Sequence, residues 1–135
     1  MELTLERARM LVTKAVEMAE QDYKRPICVA VCDKYGFLLA FSRMDGAPVR
    51  SIAISQGKAY TAARMGVNTD AFLERLHREN IPAIYFCDDK LTGMPGGSVL
   101  KDASGIIIGA GGISGLAPAE DQAIANMMAA IIAQG

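Results

Sequence analysis

The chain has 135 residues, is 51% hydrophobic and 21% charged, and carries a formal net charge of −1 at pH 7. One domain of this size buries a core without disulfides or a structural metal. The balance of mixed signs excludes the basic stripe of a nucleic-acid surface and a polybasic membrane face, which leaves small molecules or other protein chains as expected partners.

The opening segment, Met1 to Arg7, has acids and no apolar h-region, and no stretch is apolar enough to span a bilayer, so a cytoplasmic protein is expected. From about Leu5 to Gln21, Ala8, Leu11, Val12, Ala15, Met18 and Ala19 recur at helical spacing, with Thr4 as N-cap. Ile27–Cys32 is a continuous apolar run, 33–36 reads as a turn, and Phe37–Arg43 is a second run. This predicts a β-hairpin whose first strand is buried on both faces. Cys28, Cys32 and Cys87 are odd in number, lie in apolar runs and lack zinc-site spacing, which favours buried reduced thiols.

After the break at Asp45-Gly46-Ala47-Pro48, a helix is predicted from about Val49 to Met65, closed by Gly66 at C′, with a shorter helix after Thr69. On the first of these, Ile52, Gln56, Ala59 and Ala63 share one side, and Ile54, Lys58, Thr61 and Met65 the other. An outer face with Ile and Met on it predicts a homo-oligomer interface, or a pocket at one. Pro82 closes the helical region. Strands are expected at about Ala83–Cys87, Ser98–Lys101 and Ile106–Gly112, the last pair joined by a turn at 102–105, and Pro118 opens a final helix with Ile124, Met127 and Ile131 on one side. The order α, β-β, α-α, β-β-β, α favours an α+β fold on an antiparallel sheet, in a single domain spanning 1–135.

Eight of the thirteen glycines fall between Gly93 and Gly115, in Met94-Pro95-Gly96-Gly97 and in the run from Gly105 to Gly115. Such crowding serves either close packing of another chain segment or the main-chain wall of a ligand cleft. The order Pro-Gly-Gly, then Gly-x-x-x-Gly-x-x-Gly-Ile-Ser-Gly, then the acidic pair Glu120-Asp121 resembles the GlcG/HbpS family (DUF336), which includes the carboxy-terminal domain of PduO-type proteins. The segment Lys58-Ala59-Tyr60-Thr61-Ala62-Ala63, with Asp45-Gly46-Ala47-Pro48 before it and Thr69 after it, is similar to that family's pattern too. The resemblance implies a three-layer α-β-α sandwich with a five-stranded antiparallel sheet, similar to profilin-like folds, and an oligomeric habit. It also implies a place beside glycolate, diol or heme utilisation, and heme as a possible ligand on the resemblance alone.

Lys58 matches the family's Lys-Ala motif. It is either a solvated lysine lying over Ile54 or a buried one whose ammonium needs an anion or becomes a base. Asp121 and Glu120 complement the dipole of the last helix, and Asp121 is expected to aim back at the Ser114-Gly115 turn. His77, the single histidine, reads as a surface or boundary residue. Neither a P-loop nor a dinucleotide fingerprint is present, and one histidine in this setting supports no Ser-His-Asp set.

Two functions follow. The first is a small-ligand-binding accessory protein of a metabolic pathway, a homo-oligomer holding heme, a corrinoid-related compound or a small organic acid. Its ligand would meet Asp45, Gly46, Lys58, Thr61, Pro95, Gly96, Gly97, Ser114 and Gly115. The second is a metal-independent lyase, hydratase or hydrolase with Lys58 and Asp121 as acid–base residues, aided by Asp45, Thr61 and Arg50 or Arg64. A purely structural role for the glycines is the third reading.

Overall fold

The computed structural model describes residues 2–135. Helix α1 (Leu5–Met18) starts where Thr4 Oγ1 accepts the amide of Arg7 at 3.2 Å, and it buries Ala8, Leu11, Val12 and Ala15. A π-helical turn, Ala19–Tyr23, carries it on and ends at Lys24 in the left-handed region. The hairpin follows as β1 (Cys28–Asp33) and β2 (Leu38–Arg43), then α2 (Arg50–Met65) and α3 (Thr69–Glu79). The chain ends with β3 (Gly97–Lys101), β4 (Ile107–Ser114) and α4 (Pro118–Ala133). Among the described residues, no helix is long and apolar enough to cross a membrane.

The strands form one antiparallel sheet in the order β2-β1-β4-β3. Both hairpin turns use one device: the leading aspartate's Oδ1 accepts two amides, those of Tyr35 and Phe37 at Asp33 and those of Ser104 and Ile106 at Asp102. As expected for strands flanked on both sides, β1 is buried on both faces. Val29, Val31 and Ile113 pack with Leu11 of α1 and with Ile124, Met128 and Ile132 of α4. The opposite face is built of smaller residues, Ala30, Cys32 and Ala110, which pack with Ala59 and Ala62 of α2.

That second face explains part of the glycine cluster. Gly97 and Gly112 are paired across β3 and β4. A Cβ on Gly112 would run into Ser55 O and the Ala59 backbone, and one on Gly97 into Lys58 O. The two glycines let the α2 main chain lie directly on the sheet, a close approach that no other residue permits.

The structure corrects three expectations. The sheet has four strands among the described residues, not five: the segment expected as a strand at 83–87 is a 3₁₀ turn, Ala83–Phe86. There Pro82 O and Ile84 O accept the amides of Tyr85 and Cys87, and Ile84 and Tyr85 stand in solvent. A strand needs a neighbour's ladder, and no strand borders this segment. Cys87, expected buried, is exposed at the left-handed end of that turn (φ 59°), whereas Cys28 and Cys32 are buried; all three are free thiols.

The inward face of α2 also differs from the one expected. It comprises Ser51, Ser55, Lys58, Ala59, Thr61 and Ala62, so Lys58 and Thr61 lie on the sheet side with Ala59 rather than opposite it. On α4, Ile124 is buried and Met127 and Ile131 pack against the same core, as expected, with Asp121, Gln122, Ala125, Met128 and Ile132 buried beside them. The polar residues on the inward sides of α2 and α4 are engaged in buried hydrogen bonds.

Candidate functional site

Lys58 is 1% exposed. Its Nζ donates to Ile113 O at 2.8 Å and to Asp121 Oδ2 at 3.1 Å, while Asp121 Oδ1 accepts the amide of Leu116 at 3.0 Å. Burial pushes the Lys58 ammonium down and the Asp121 carboxyl up, and each is held back toward its charged form by the other. Each charge of the pair meets the other and a main-chain group, the kind of geometry by which a buried ion pair offsets its desolvation. As expected from sequence, Asp121 reaches back to the turn that follows β4.

Around this pair lies a polar network that sequence did not reveal. Gln122 Oε1 accepts the Gly96 amide at 2.7 Å, and its Nε2 donates to Gly97 O, Ser98 Oγ and Asn126 Oδ1, each at 3.0 Å. The Gly97 amide donates to Thr69 Oγ1 at 2.8 Å, and Ser114 Oγ donates to Ser51 Oγ at 3.0 Å. Gly96, Gly97, Lys58, Ser114 and Asp121 are thus brought together, with Gly115 and Pro95 at the edges. Thr61 lies further along α2, where its Oγ1 donates to Gly57 O and accepts the Thr92 amide. Asp45 and Gly46 stand apart, in an exposed turn where Gly46 has φ 85° and faces Pro26. His77 is exposed on α3.

A wide opening lies elsewhere. A groove of about 650 Å³ runs between α2, the start of β2 and the segment 89–92. Ile52, Ala53, Ile54, Gln56 and Tyr60 of α2 form one wall, Phe37 and Leu38 a second, and Asp89, Lys90, Leu91 and Thr92 a third, with Cys32 also on the lining. Its volume falls within the range of small-molecule sites, and its lining is mostly apolar with a few polar groups, as such sites require.

The third wall belongs to the connection between α3 and β3, residues 80–96, which is held to α2 at two places. Tyr60 Oη donates to Asp88 Oδ2 at 2.6 Å, and the Thr92 amide donates to Thr61 Oγ1 at 2.9 Å. The hydrogen bond to Asp88 raises the Tyr60 phenol above its ordinary value and lowers the Asp88 carboxyl. Burial, with Asp33 next to it, pushes the Cys32 thiol up to about 12, so that sulfur stays protonated. No group of three or more His, Cys, Asp and Glu side chains is placed to hold a metal ion among the described residues.

Sequence gave no warning of this groove. The one available signal was the polar run Asp88-Asp89-Lys90 in a segment read as following a strand.

Known proteins agree with this architecture. A family model described as haem degrading protein HbpS-like matches residues 3–130. An uncharacterised 15.0 kDa protein from the dhaT–dhaS intergenic region of Citrobacter freundii is 29% identical over 125 residues, covering 92% of this chain and 87% of that protein. The crystal structure of a double mutant of Streptomyces reticuli HbpS superposes with a TM-score of 0.87 at 29% identity, over 98% of this chain and 88% of that one. A PduOC:heme complex gives 0.86 at 29% identity, over 98% and 96%.

Proposed function

The chain belongs to the HbpS-like family, and from that premise we propose that it binds a heme-related small ligand in the groove between α2, β2 and residues 89–92. The observation that carries this reading is the groove itself, an apolar cleft of about 650 Å³ with few polar groups. The PduOC:heme complex supports the ligand class. We place the ligand here rather than against the glycine-rich segments because the space at Gly96, Gly97, Gly109, Gly111, Gly112 and Gly115 is already filled by other parts of the chain. An accessory role in a metabolic pathway, in the cytoplasm, completes the proposal. Homo-oligomerisation is part of it, supported by the exposed apolar side chains of Phe37, Leu38 and Val49 on and near the groove.

The apolar part of the lining fits the body of such a ligand. Ile52, Ile54, Phe37 and Leu38 would take an apolar macrocycle, while the lining offers no ready iron ligand, since the Cys32 thiol is held protonated and the Tyr60 hydroxyl is bonded to Asp88. When bound, the group would supply iron-centred ligation and redox chemistry. The chain's own part is to exclude water along the apolar walls and to hold the Tyr60 proton against Asp88 Oδ2. Lys58 offers no second reading, since its ammonium is committed to Asp121 and Ile113 and lines no part of the groove.

Titration of the purified chain with hemin, followed through the Soret band, tests the proposal. Saturable binding is expected, weakened roughly tenfold by Ile52→Gln, the equivalent of about 1.4 kcal/mol of lost apolar contact. Unchanged binding in that variant, or none in the native chain, would sink it.

A further inference from the structure

Lys90 lies on the groove lining and stands 5.5 Å from the centroid of the Tyr60 ring. Among the described residues it belongs to no ion pair. The adjacent acid, Asp88, feels the Lys90 charge without pairing with it directly: it accepts the Tyr60 hydroxyl on Oδ2 and the Lys90 amide, at 3.1 Å, on Oδ1. A second cation, Arg64, sits 4.9 Å from the same ring, and its Nε donates to Tyr35 O at 2.7 Å. The phenol therefore carries two cations at its ring and one carboxylate at its hydroxyl. Asp89 is the opposing charge on the lining.

An ammonium that makes no direct ion pair beside an apolar wall can take up an anion brought there. A carboxylate brought there gains a charge-assisted hydrogen bond, of modest size because Lys90 is exposed. We propose that Lys90 selects ligands bearing a carboxylate on an otherwise apolar body, and that Asp89, repelling that carboxylate, fixes which way round the ligand lies. This rests on the groove being the ligand site.

The test uses the intact chain with two metal-free probes, protoporphyrin IX and its dimethyl ester, which share the apolar body and differ in the acid groups. Binding is read by porphyrin fluorescence, so iron ligation plays no part. The free acid should bind about three- to fivefold more tightly than the ester, and the gap should narrow as salt is raised. Lys90→Gln should erase the gap by weakening the acid, while Asp89→Asn should tighten the acid about twofold. Ile52→Gln should weaken both probes alike.

Equal affinity for acid and ester in the native chain, or a gap that survives Lys90→Gln, overturns the role of Lys90. If Ile52→Gln still weakens both probes in that case, the groove stands. Failure of both probes to bind, or indifference to Ile52→Gln, overturns the groove and the selectivity with it.

Discussion

The two sides of α2 carry opposite kinds of residue from the ones surface chemistry would assign them. On the side turned to the sheet lie a lysine, two serines and a threonine, all buried, and among the described residues no buried side-chain nitrogen or oxygen lacks a partner. On the side turned to residues 89–92 lie Ile52, Ala53 and Ile54, none of them fully covered. The charged residue fastens the fold, and the apolar residues are left available. Charge in a motif does not by itself mark a reacting group, since both partners of this buried ion pair are turned to the fold's own groups.

The sharpest way to break that contrast is to cut the fastening. Lys58→Met leaves the Asp121 carboxylate buried and unpaired and should cost about 3–5 kcal/mol in urea unfolding, while Lys58→Met with Asp121→Leu should recover much of the loss. A cost below about 1 kcal/mol for the single change would mean that the pair does not hold the two elements together. Next in size is Gly112→Ala, whose methyl would meet Ser55 O and the Ala59 backbone and should cost about 1–3 kcal/mol.

The matching change on the groove side has the opposite sign. At Gly57 a Cβ would meet only Lys90 O at 3.7 Å and Thr92 Cγ2 at 3.8 Å, ordinary contacts. Gly57→Ala should therefore stabilise α2, by up to about 1 kcal/mol, in thermal unfolding. A loss of stability there would show the 89–92 wall to be as tightly packed as the sheet side.

The smallest expected effect is that of Tyr60→Phe, roughly 0.5 kcal/mol, because the bond to Asp88 is partly solvated. Its pH dependence has two limbs. The phenol is raised above 10.0, so the bond's contribution is whole below that pH and is lost as pH rises through Tyr60's folded value. The carboxyl is lowered below 3.8, so the contribution is whole above that pH and is lost as pH falls through Asp88's folded value. Ultraviolet titration of the phenol and stability curves of the two proteins should diverge between those limits and converge outside them.

Much of the fold was legible because its signals are local. The Thr4 cap, the aspartate-led turns at 33–36 and 102–105, Gly66 at the end of α2 (φ 69°) and Pro118 at the start of α4 each act within a few residues. The segment 83–87 misled because Ile84, Tyr85 and Phe86 have the composition of a strand, while strand formation depends on a neighbour that only the tertiary structure supplies. The inward face of α2 misled for a related reason. Hydrophobic periodicity takes lysine as outward-facing, and the partners that reverse this, Ile113 O and Asp121, lie 55 and 63 residues away. Asp121's reach back to the turn was legible from its place in the first turn of a helix. The groove was not, because its three walls come from separate parts of the chain.

The connection from Asn80 to Gly96 gives the groove a wall that stands outside the fold's foundations. Asp89 and Lys90 are exposed, and neither belongs to either hydrophobic cluster. Substitutions at such positions usually shift stability by no more than about 0.5 kcal/mol. The charge on this wall can thus change by drift in a handful of loop codons, with the helix and sheet inherited unaltered.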